Sequence, residues 1–507
     1  MKKHVLSAKD IRQIKASGIS PNGVEKQLAC YRQGANYLKL NRPCNVGDGI
    51  VSIAPAQRKK LIDLYENESR KYKLIKFVPA SGAASRMFTD WFSASEKGGF
   101  STNEQDRKLF RDLKKFPFFS LIAENKTGAE LIKKKDIGGL LKFILTDVGL
   151  NYGNIPKALI PFHRYPSGKL RTALEEHLVE AAGYINGSGG ISSLHFTISA
   201  EHKQEITSCL KKITAKQEGI CRGKYKVALS VQSVSTNTIA VDETNLPLRD
   251  AKRDLVFRPG GHGALLANLN DLNADLIFVK NIDNIVPELL SGKNSPFKKM
   301  LGGMALKITQ ENFAFLRSLD AGEPDLAEID KVVAHCSQSL NIVFPQSFIK
   351  QAKKKKVQTL FSLLNRPLRI CGMVKNDGEP GGGPFWVEEK DGTQTLQIVE
   401  GGHVDKRKPQ QSAIWAQAQY FNPVDMVCCI KDYQGDKFIL DNYVDKNAYL
   451  ITTKNEKGIQ FNALEAPGLW NGGMAYWNTI FVELPLMVFN PVKTVYDLLR
   501  PEHRTTS

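Results

Sequence analysis

The sequence lacks the cysteine spacing of a zinc site or of a disulfide framework. None of its cysteines forms a C-x-x-C pair, so they are expected to be reduced thiols; they are Cys30, Cys44, Cys209, Cys221, Cys336, Cys371, Cys428 and Cys429. It also lacks a run of about eighteen apolar residues. The first residues, Met1-Lys2-Lys3-His4, do not lead into the apolar core of a signal peptide. These absences predict a cytoplasmic location and no membrane partner.

Length and charge set broad limits. The chain has 507 residues, 42% of them hydrophobic and 24% charged, which is typical of a globular protein. A chain of this length is expected to form about two to four structural units. The formal net charge of +18 favours anionic partners, among them nucleotides and nucleic acids.

Part of the positive charge lies in two lysine blocks, Lys133–Lys135 and Lys353–Lys356, each beside apolar residues with helical spacing. We interpret them as solvated helix faces, with contact to nucleic acid or a membrane as the alternative. Neither an aromatic stacking signature nor a helix-turn-helix pattern favours a basic nucleic-acid-binding protein. That function therefore stays a secondary hypothesis.

The order of apolar segments predicts an α/β fold with a largely parallel or mixed sheet. Strand candidates begin at Leu74, Leu194, Lys226, Asp275, Leu368, Thr395 and Met426. Helix-like stretches such as 170–182 and 201–213 separate several of them. Ligands of such sheets bind at the carboxyl ends of strands.

The same patterns predict a division into domains. Residues 1–70 are expected to form a helical N-terminal extension, and 431–507 a small C-terminal region. Residues 71–430 are expected to form the main α/β domain, with helical insertions at 88–155 and 286–365.

A turn of small residues follows the first strand candidate. It runs Pro79-Ala80-Ser81-Gly82-Ala83-Ala84-Ser85-Arg86 and leads into a helix-like segment. Small side chains let the backbone come close to a ligand, and N–H groups at a helix start can bind phosphate. Arg86 adds a fork of hydrogen-bond donors. A tight turn packed by small side chains is the alternative interpretation.

Two lysines follow prolines in segments that can border an anion site. Lys157 follows Pro156 and precedes an apolar segment, and Lys493 follows Pro491-Val492. A lysine places a compact positive charge that can meet a phosphate. An ordinary surface lysine and an ordinary helix start are the respective alternatives.

Two further segments pair small or acidic residues with strand ends. Gly260, Gly261 and Gly263 flank His262, so a planar group such as a base can approach the backbone. Asp283 follows the strand candidate at 275–280, where a carboxylate can hold a divalent cation. A plain loop and a plain turn are the alternatives.

Taken in order, these segments resemble the UDP-sugar pyrophosphorylases, the UDP-glucose and UDP-N-acetylglucosamine types of the nucleotide-diphospho-sugar transferase superfamily. That family has the patterns L-x-G-G-x-G-T-R, P-K-G, P-x-G-H-G or P-x-G-N-G, N-x-D-N-L and F-x-P-V-K-x-x-x-D-L-L. The matching segments here run from Pro79 to Leu499. The resemblance implies a Rossmann-like, GT-A-like mixed sheet, and the sequence looks like a bacterial branch apart from the mainstream enzymes.

The resemblance also implies a function and a site. It implies a nucleotidyltransferase that uses Mg²⁺ and joins a nucleoside triphosphate, with UTP as the donor, to a sugar 1-phosphate. Arg86, Lys157 and Lys493 are implied to be catalytic, and Asp283 to bind Mg²⁺. The implied nucleotide-binding residues are Ser81, Gly82, Ala83, Ala84, Ser85, Gln232, Gly260, Gly261, His262 and Gly263. Those implied for the sugar phosphate are Glu400, His403, Asn471 and Lys493.

This reaction needs charge compensation more than a strong base, because a sugar 1-phosphate is already an anion. Two negative reactants must be held in line within about 3–3.5 Å of each other. Mg²⁺, Arg86 and the two lysines are the positive charges that the resemblance supplies. No Ser-His-Asp or Cys-His arrangement can be assigned from the sequence, and the reaction requires none.

Departures from the family pattern leave two alternatives open. Ser81 and Ala84 replace loop glycines, and Ser85 replaces the threonine. The roughly seventy residues between Arg86 and Lys157 are either an inserted lid or a sign that Lys157 matches by coincidence. The competing hypothesis is therefore a nucleotide-binding regulatory protein that is weak or inactive in turnover.

Overall fold

The chain combines many helices with β-sheets. The computed structural model describes residues 6–82, 84–221, 223–322, 324–378, 381–389, 392–456 and 458–505. The α-helices are α1 (Ala8–Ala16), α2 (Pro21–Gln33), α3 (Pro55–Glu68), α4 (Thr89–Lys97), α5 (Asn103–Asp112), α6 (Phe119–Ala123), α7 (Lys126–Lys134), α8 (Ile137–Leu145), α9 (Ala173–Ala182), α10 (Lys203–Cys221), α11 (Leu265–Asn270), α12 (Glu288–Asp320), α13 (Leu326–Ser339), α14 (Gln346–Ile349), α15 (Lys353–Leu364) and α16 (Pro409–Ala416).

The strands alternate with these helices along the chain. They are β1 (Leu40–Pro43), β2 (Asn45–Val46), β3 (Gly49–Val51), β4 (Leu74–Pro79), β5 (Pro161–Arg164), β6 (Leu170–Thr172), β7 (Ile191–Ile198), β8 (Lys224–Val231), β9 (Thr238–Val241), β10 (Phe257–Arg258), β11 (Leu276–Lys280), β12 (Leu368–Lys375), β13 (Gly383–Glu388), β14 (Gln394–Val399), β15 (Tyr420–Phe421), β16 (Asp425–Cys429), β17 (Leu450–Glu456), β18 (Ile459–Glu465) and β19 (Asn478–Glu483).

The predicted strand candidates are all strands in the structure, as β4, β7, β8, β11, β12, β14 and β16. The α/β prediction is confirmed, and the sheet is mixed, since β12 runs parallel to β19 and antiparallel to β16. The two expected insertions are helical, with α4 to α8 in the first and α12 to α15 in the second.

The N-terminal region holds the expected helices together with strands that the pattern did not indicate. Between α2 and α3 lie β1, β2 and β3. Leu40 of β1 pairs with Val387 of β13, and Ile50 of β3 pairs with Phe481 of β19. Such short strands exist because distant partners complete their hydrogen bonds, which a local pattern does not reveal.

The chain divides into two compact units, and both are discontinuous in sequence. The first unit comprises Met1–Tyr65, Gln232–Phe278 and Met300–Pro485. The second comprises Glu66–Val231, Val279–Lys299 and Leu486–Ser507. The predicted domain ranges 1–70, 71–430 and 431–507 stay a prediction.

The first unit contains most of the strands. Its largest set has the order β2-β3-β19-β12-β16, and two smaller sheets have the orders β1-β13-β14 and β10-β9-β18-β17. The N-terminal helices pack against β9, where Ile14, Val24 and Leu28 contact Ile239 and Val241 in one buried cluster. Burial of such aliphatic side chains is the main stabilising contribution to packing of this kind.

In the second unit, β4, β7 and β8 are parallel neighbours in that order. The helices α9 and α10 pack beside them. The insertion α4 to α8 is anchored by an aromatic core around Trp91, whose ring centre lies 5.4 Å from that of Phe116 and 5.5 Å from that of Phe88. The Trp91 indole N–H also donates to the Tyr496 hydroxyl over 3.1 Å. This contact holds the insertion against the C-terminal segment that carries Lys493.

Several surface expectations can be checked directly. Lys133, Lys134 and Lys135 are exposed, as are Lys353, Lys354 and Lys355, so these parts of the lysine blocks face solvent as expected. The cysteines whose side chains are described are free thiols. Within the described ranges, no helix is both long and apolar enough to cross a bilayer.

Candidate functional site

The second unit brings four of the predicted segments together, and two of them follow strand ends. β4 ends at Pro79 and β11 ends at Lys280. The N–H of Ile282 donates to the carbonyl of Pro79 over 3.3 Å, so the segment after β11 lies beside the small-residue turn after β4. This is the edge of an α/β sheet at which ligands bind.

Lys157 also lies beside the turn, despite the long insertion between them. Its N–H donates to the Gly82 carbonyl over 3.3 Å, and the N–H of Ala84 donates to the Ile155 carbonyl over 3.3 Å. The chain therefore enters the insertion at the turn and, at the end of the insertion, returns to a position beside the turn. Because the Ala84 N–H is engaged, it is not free for a phosphate. Ser81 is partly buried, Gly82, Ser85 and Arg86 are exposed, and Ala83 lies outside the described residues.

Asp283 lies between two lysines. Its Oδ2 atom is 3.3 Å from Lys157 Nζ and 3.4 Å from Lys493 Nζ. The Lys157 side chain is 12% exposed and that of Lys493 is 44% exposed. Burial lowers the pKa of Lys157, and the charge of Asp283 opposes that change. We call these three residues the lysine–aspartate cluster; with both lysines protonated it has a surplus positive charge.

Backbone contacts join the segments that carry Asp283 and Lys493. The N–H of Val492 donates to the Asp283 carbonyl over 3.0 Å, and Lys157 Nζ donates to the Val492 carbonyl over 2.9 Å. Asn284 accepts a hydrogen bond from the N–H of Asn490. These contacts set the position of the ammonium groups in advance, which is the arrangement that electrostatic stabilisation requires.

The C-terminal segment is also capped by its own aspartate. Asp497 accepts hydrogen bonds from the N–H groups of Lys493 and Thr494 at 2.9 and 2.7 Å. Thr494 and Asp497 form a capping box at the start of a short 3-10 turn. The motif Pro491-Val492-Lys493 is therefore held on both sides.

The suitability of Asp283 for Mg²⁺ rests on its second oxygen. Oδ1 is buried and has no hydrogen-bond partner in the described part of the chain. Mg²⁺ in proteins is commonly held by one or two carboxylates, with the remaining ligands coming from water and substrate phosphates. One available carboxylate oxygen fits that pattern. Among the described residues there is no group of three or more His, Cys, Asp or Glu that could hold a metal by itself.

Beneath this edge lies a buried ionic cluster that the sequence reasoning missed. Glu180 accepts hydrogen bonds from Lys76, at 2.6 Å, and from Lys280. Burial lowers the pKa of Lys76 to about 8, while Glu180 opposes that shift. The signal that could have found the cluster was a lysine inside each of two apolar strands, β4 and β11.

A buried histidine supports the backbone next to Asp283. His177 Nε2 lies 3.1 Å from the carbonyl of Ile282, and because a carbonyl only accepts, this nitrogen is the donor. Burial keeps the pKa of His177 well below its usual value, so the ring is neutral. The ring therefore holds Ile282 by a neutral hydrogen bond.

The first unit contains a second group, made of the predicted residues His262 and Glu400 together with Trp470, which we call the histidine–glutamate cluster. His262 Nδ1 accepts from the N–H of Leu469 over 3.1 Å, and Nε2 lies 3.3 Å from Glu400 Oε1. Because Nδ1 accepts, the ring proton is on Nε2, which faces the carboxylate. The Trp470 ring stacks on His262 with centres 4.3 Å apart.

Glu400 remains a carboxylate in this environment. Burial alone would raise its pKa, but the hydrogen bonds from His262 and from the Trp470 indole lower the pKa overall. A partly buried carboxylate beside stacked rings can accept hydrogen bonds from hydroxyl groups.

His403 and Asn471 are buried in the same unit. His403 Nε2 lies 3.3 Å from the Ala448 carbonyl, and burial lowers the pKa of this ring. Asn471 Oδ1 accepts from the N–H of Gly472. His403 Nδ1 and Asn471 Nδ2 are buried, and no described residue forms a hydrogen bond with either atom. Both side chains therefore keep unused polar atoms.

The glycines around His262 have a packing role. A Cβ on Gly263 would clash with the carbonyl oxygens of Ala466 and Pro467, and Gly261 has φ +73° beside Glu465. The close approaches that these two glycines permit are thus made to Glu465, at the end of β18, and to the segment after that strand. Gln232 directly follows β8 and is partly buried.

Arg369 is a further residue that the sequence reasoning missed. It is fully buried in β12, where its guanidinium donates to the Thr479 hydroxyl over 2.8 Å and to the Trp470 carbonyl over 2.6 Å. It therefore fixes the backbone of the residue that stacks on His262. An arginine inside a strand of apolar residues was the signal in the sequence.

Comparisons with known proteins bear on the fold and the family. No curated protein matches the sequence. One similar solved structure is a single-residue mutant of UDP-glucose pyrophosphorylase from Leishmania major in complex with UDP-glucose, with 12% identity, a TM-score of 0.45, and coverage of 98% of this chain and 80% of that chain. Another is the uridine diphosphate N-acetylglucosamine pyrophosphorylase from Trypanosoma brucei in complex with inhibitor, with 11% identity, a TM-score of 0.45, and coverage of 90% and 72%.

A family model assigns the chain as a whole. Residues 7–504 match the model described as Domain of unknown function (DUF4301). That match covers nearly all of the sequence, including both units and every residue of the two clusters. The chain therefore belongs to the DUF4301 family.

Proposed function

We propose that this protein is a sugar-1-phosphate nucleotidyltransferase, which transfers a uridylyl group from UTP to a sugar 1-phosphate and releases pyrophosphate. The observation that carries the proposal is the lysine–aspartate cluster, in which Lys157 and Lys493 meet the same oxygen of Asp283 at 3.3 and 3.4 Å. Its residues come from motifs that resemble the UDP-sugar pyrophosphorylases. The pairing supports a site for phosphate groups.

The cluster suits a phosphate because its charges are fixed and unbalanced. Two ammonium groups share one carboxylate, and the more exposed Lys493 can exchange its bond to Asp283 for a bond to a phosphate oxygen. Lys157 is held by the Val492 carbonyl and does not need to be ordered when the ligand binds. Such preorganisation avoids reorganisation at the moment of reaction.

In the proposed reaction, an oxygen of the sugar 1-phosphate attacks the α-phosphorus of UTP. A new P–O bond forms, the bond from the α-phosphorus to the bridging oxygen breaks, and pyrophosphate leaves with that electron pair. The attacking group is already an anion, so no side chain has to remove a proton. Lys157, Lys493 and Arg86 would orient the phosphates and stabilise their charge. Asp283, through Oδ1, would hold Mg²⁺, which supplies further positive charge when bound.

The first unit, taken by itself, contains the residues that we propose for binding the sugar and the nucleotide. Glu400 is a carboxylate that can accept sugar hydroxyls, and the unused polar atoms of His403 and Asn471 support the same role. His262 and the adjoining Gly260, Gly261 and Gly263 are proposed on the nucleotide side, together with Gln232.

The test is release of pyrophosphate by the full-length protein with UTP and MgCl₂, measured with glucose 1-phosphate and with N-acetylglucosamine 1-phosphate. Release that requires both UTP and one sugar phosphate is the expected result. A parallel thermal-shift series with each nucleoside triphosphate measures binding alone, because a ligand of the folded state raises the melting temperature. UTP binding without release, for every sugar phosphate tried, would favour the regulatory alternative, which Ser81 and the engaged N–H of Ala84 support.

A further inference from the structure

The first unit contains a cavity of about 900 Å³, lined by residues outside the lysine–aspartate and histidine–glutamate clusters. Its wall comes from the end of α2, strands β13 and β14, residues 340–351, helix α15 and residues 475–479. A cavity of this size is large enough for a small-molecule ligand.

The lining of the cavity includes two cationic residues. Arg366 lines it, and its guanidinium donates through Nε to the Ser362 carbonyl over 3.1 Å. Burial lowers the pKa of Arg366, and the hydroxyl groups of Tyr443 and Tyr476 oppose that change. Lys39 also lines the cavity, but it forms an ion pair with Glu388. Arg366 is therefore the lining cation whose charge can be directed to a ligand.

Two other lining residues carry donors without acceptors. Trp477 Nε1 and Asn341 Nδ2 are buried, and neither has a hydrogen-bond partner among the residues that the structure describes. Unmet buried donors are rare in folded proteins, and each calls for an explanation. A ligand that brings acceptor oxygens would supply the missing partners of both groups.

The lining of the cavity also offers acceptors. Asp445 and Glu389 line it, and after burial their charges raise the pKa of Tyr476, whereas the charge of Arg366 lowers it. Tyr476 therefore lies near both acidic and cationic lining groups. A ligand that contacts both kinds of group needs an anionic group and hydroxyl donors.

The remaining lining is rich in amides and aromatic rings. Amide side chains are contributed among others by Asn341, Gln351 and Asn447, and rings by Phe344, Tyr476 and Trp477. Amides can both donate to and accept from hydroxyl groups. Rings pack against the C–H faces of a saturated ring.

We propose that this cavity binds a hydroxyl-rich anion, either a sugar phosphate or a sugar acid. The anionic group contacts Arg366, with Trp477 and Asn341 as further donors. The hydroxyl groups face Asp445, Glu389 and the amides. The proposal is independent of the nucleotidyltransferase function, since it uses a different set of residues.

The test is calorimetric titration of the full-length protein with glucose 6-phosphate and with glucuronate, which distinguish a phosphate from a carboxylate. Glucose 6-phosphate carries no phosphate on C1 and so is not a substrate of the proposed transfer. At least one of the two is expected to bind saturably, with inorganic phosphate and glucose weaker by about tenfold or more. Arg366→Gln is expected to weaken binding by about tenfold or more.

Matched variants test whether the ligand occupies this cavity. Lys355→Gln removes an exposed charge from helix α15, other residues of which line the cavity. This variant is expected to bind the ligand as the unmodified protein does. Trp477→Phe keeps a ring but removes a donor, and is expected to weaken binding by about three- to tenfold. If circular dichroism shows that Arg366→Gln does not fold, the affinity of Trp477→Phe replaces it as the test of the proposal.

Three results would overturn the proposal. The first is that neither glucose 6-phosphate nor glucuronate binds saturably. The second is that a folded Arg366→Gln protein, or Trp477→Phe in its place, binds as tightly as the unmodified protein. The third is that Lys493→Gln abolishes binding, because the ligand would then occupy the lysine–aspartate cluster.

Discussion

Lys157 and Asp283 form an ion pair, with Nζ and Oδ2 3.3 Å apart, although 126 positions separate them in the chain. Both side chains are mostly buried, so the pair is screened less by solvent than a surface pair is. The Val492 carbonyl is a second acceptor for the same ammonium group. Because these groups are held in place, a single substitution in this pair or beside it has a defined effect on activity or on stability.

Lys493→Ala is expected to lower kcat/KM for pyrophosphate release by about a hundredfold or more, because a preorganised charge opposite the phosphates is lost. The side chain is 44% exposed, so the melting temperature should change little. Lys134→Ala, with a side chain that is 72% exposed on α7, is the control. A rate near that of the unmodified protein would remove Lys493 from the mechanism.

Asp283→Asn is expected to lower the free energy of unfolding by about 2–4 kcal/mol, because Lys157 then stays buried without its counter-charge. Urea denaturation measures the change. Asp441→Asn is the control, since its side chain is 70% exposed in a pair with Lys446 and should matter by less than about 1 kcal/mol. Equal stability of the Asp283 variant and the unmodified protein would contradict the importance of this pair.

The same variant tests the proposed metal role of Asp283. The asparagine keeps the size of the side chain but removes the charge that would attract Mg²⁺, so the magnesium concentration for half-maximal activity should rise. The readout is a magnesium titration of pyrophosphate release. An unchanged titration curve would identify Asp283 as a structural residue.

Stability in acid is expected to depend on His503. This ring is 1% exposed, and its Nδ1 lies 3.0 Å from His163 Nε2. Burial, followed by the charge of His163, lowers the pKa of His503 from 6.5 to about 3. Between these values the unfolded chain binds a proton that the native state does not bind. The contribution of His503 to the free energy of unfolding is therefore fully present above pH 6.5 and is lost as the pH falls towards about 3.

The measurement is urea unfolding at a series of pH values. His503→Gln removes this titration. The slope of the free energy of unfolding against pH should therefore fall by about 1.4 kcal/mol per pH unit midway between pH 6.5 and about 3. His202→Gln, a change in a histidine that is only partly buried, should leave the slope as it is. If the two variants show the same slope, His503 is not the titrating group.

Glu400→Gln is expected to raise KM for the sugar 1-phosphate by about tenfold, with a smaller effect on KM for UTP, because a charged acceptor for hydroxyl groups is lost. Steady-state kinetics with each substrate varied in turn provide the test. Glu502→Gln changes an exposed carboxylate and is the control. Equal effects on both substrates would argue against a sugar-side role.

Much of the fold follows from local pattern. Runs such as Leu276–Lys280 and Leu368–Lys375 are apolar enough to identify buried strands, and both are strands in the structure. The short strands β1 and β3 carry no such run, and their pairing with β13 and β19 depends on distant segments. Local pattern therefore identifies the long buried strands and misses those that distant partners create.

By itself, the sequence determined the order of the strand-end motifs, the small residues of the turn at 79–86, and the presence of lysines after Pro156 and Pro491. Only the tertiary structure decided that Lys157 and Lys493 share one oxygen of Asp283, and that the N–H of Ala84 is engaged by Ile155. It also decided that Lys76 and Lys280 meet at Glu180. The physical reason is that an ion pair depends on the distance between side chains, and for residues this far apart in sequence the packing of the whole chain sets that distance.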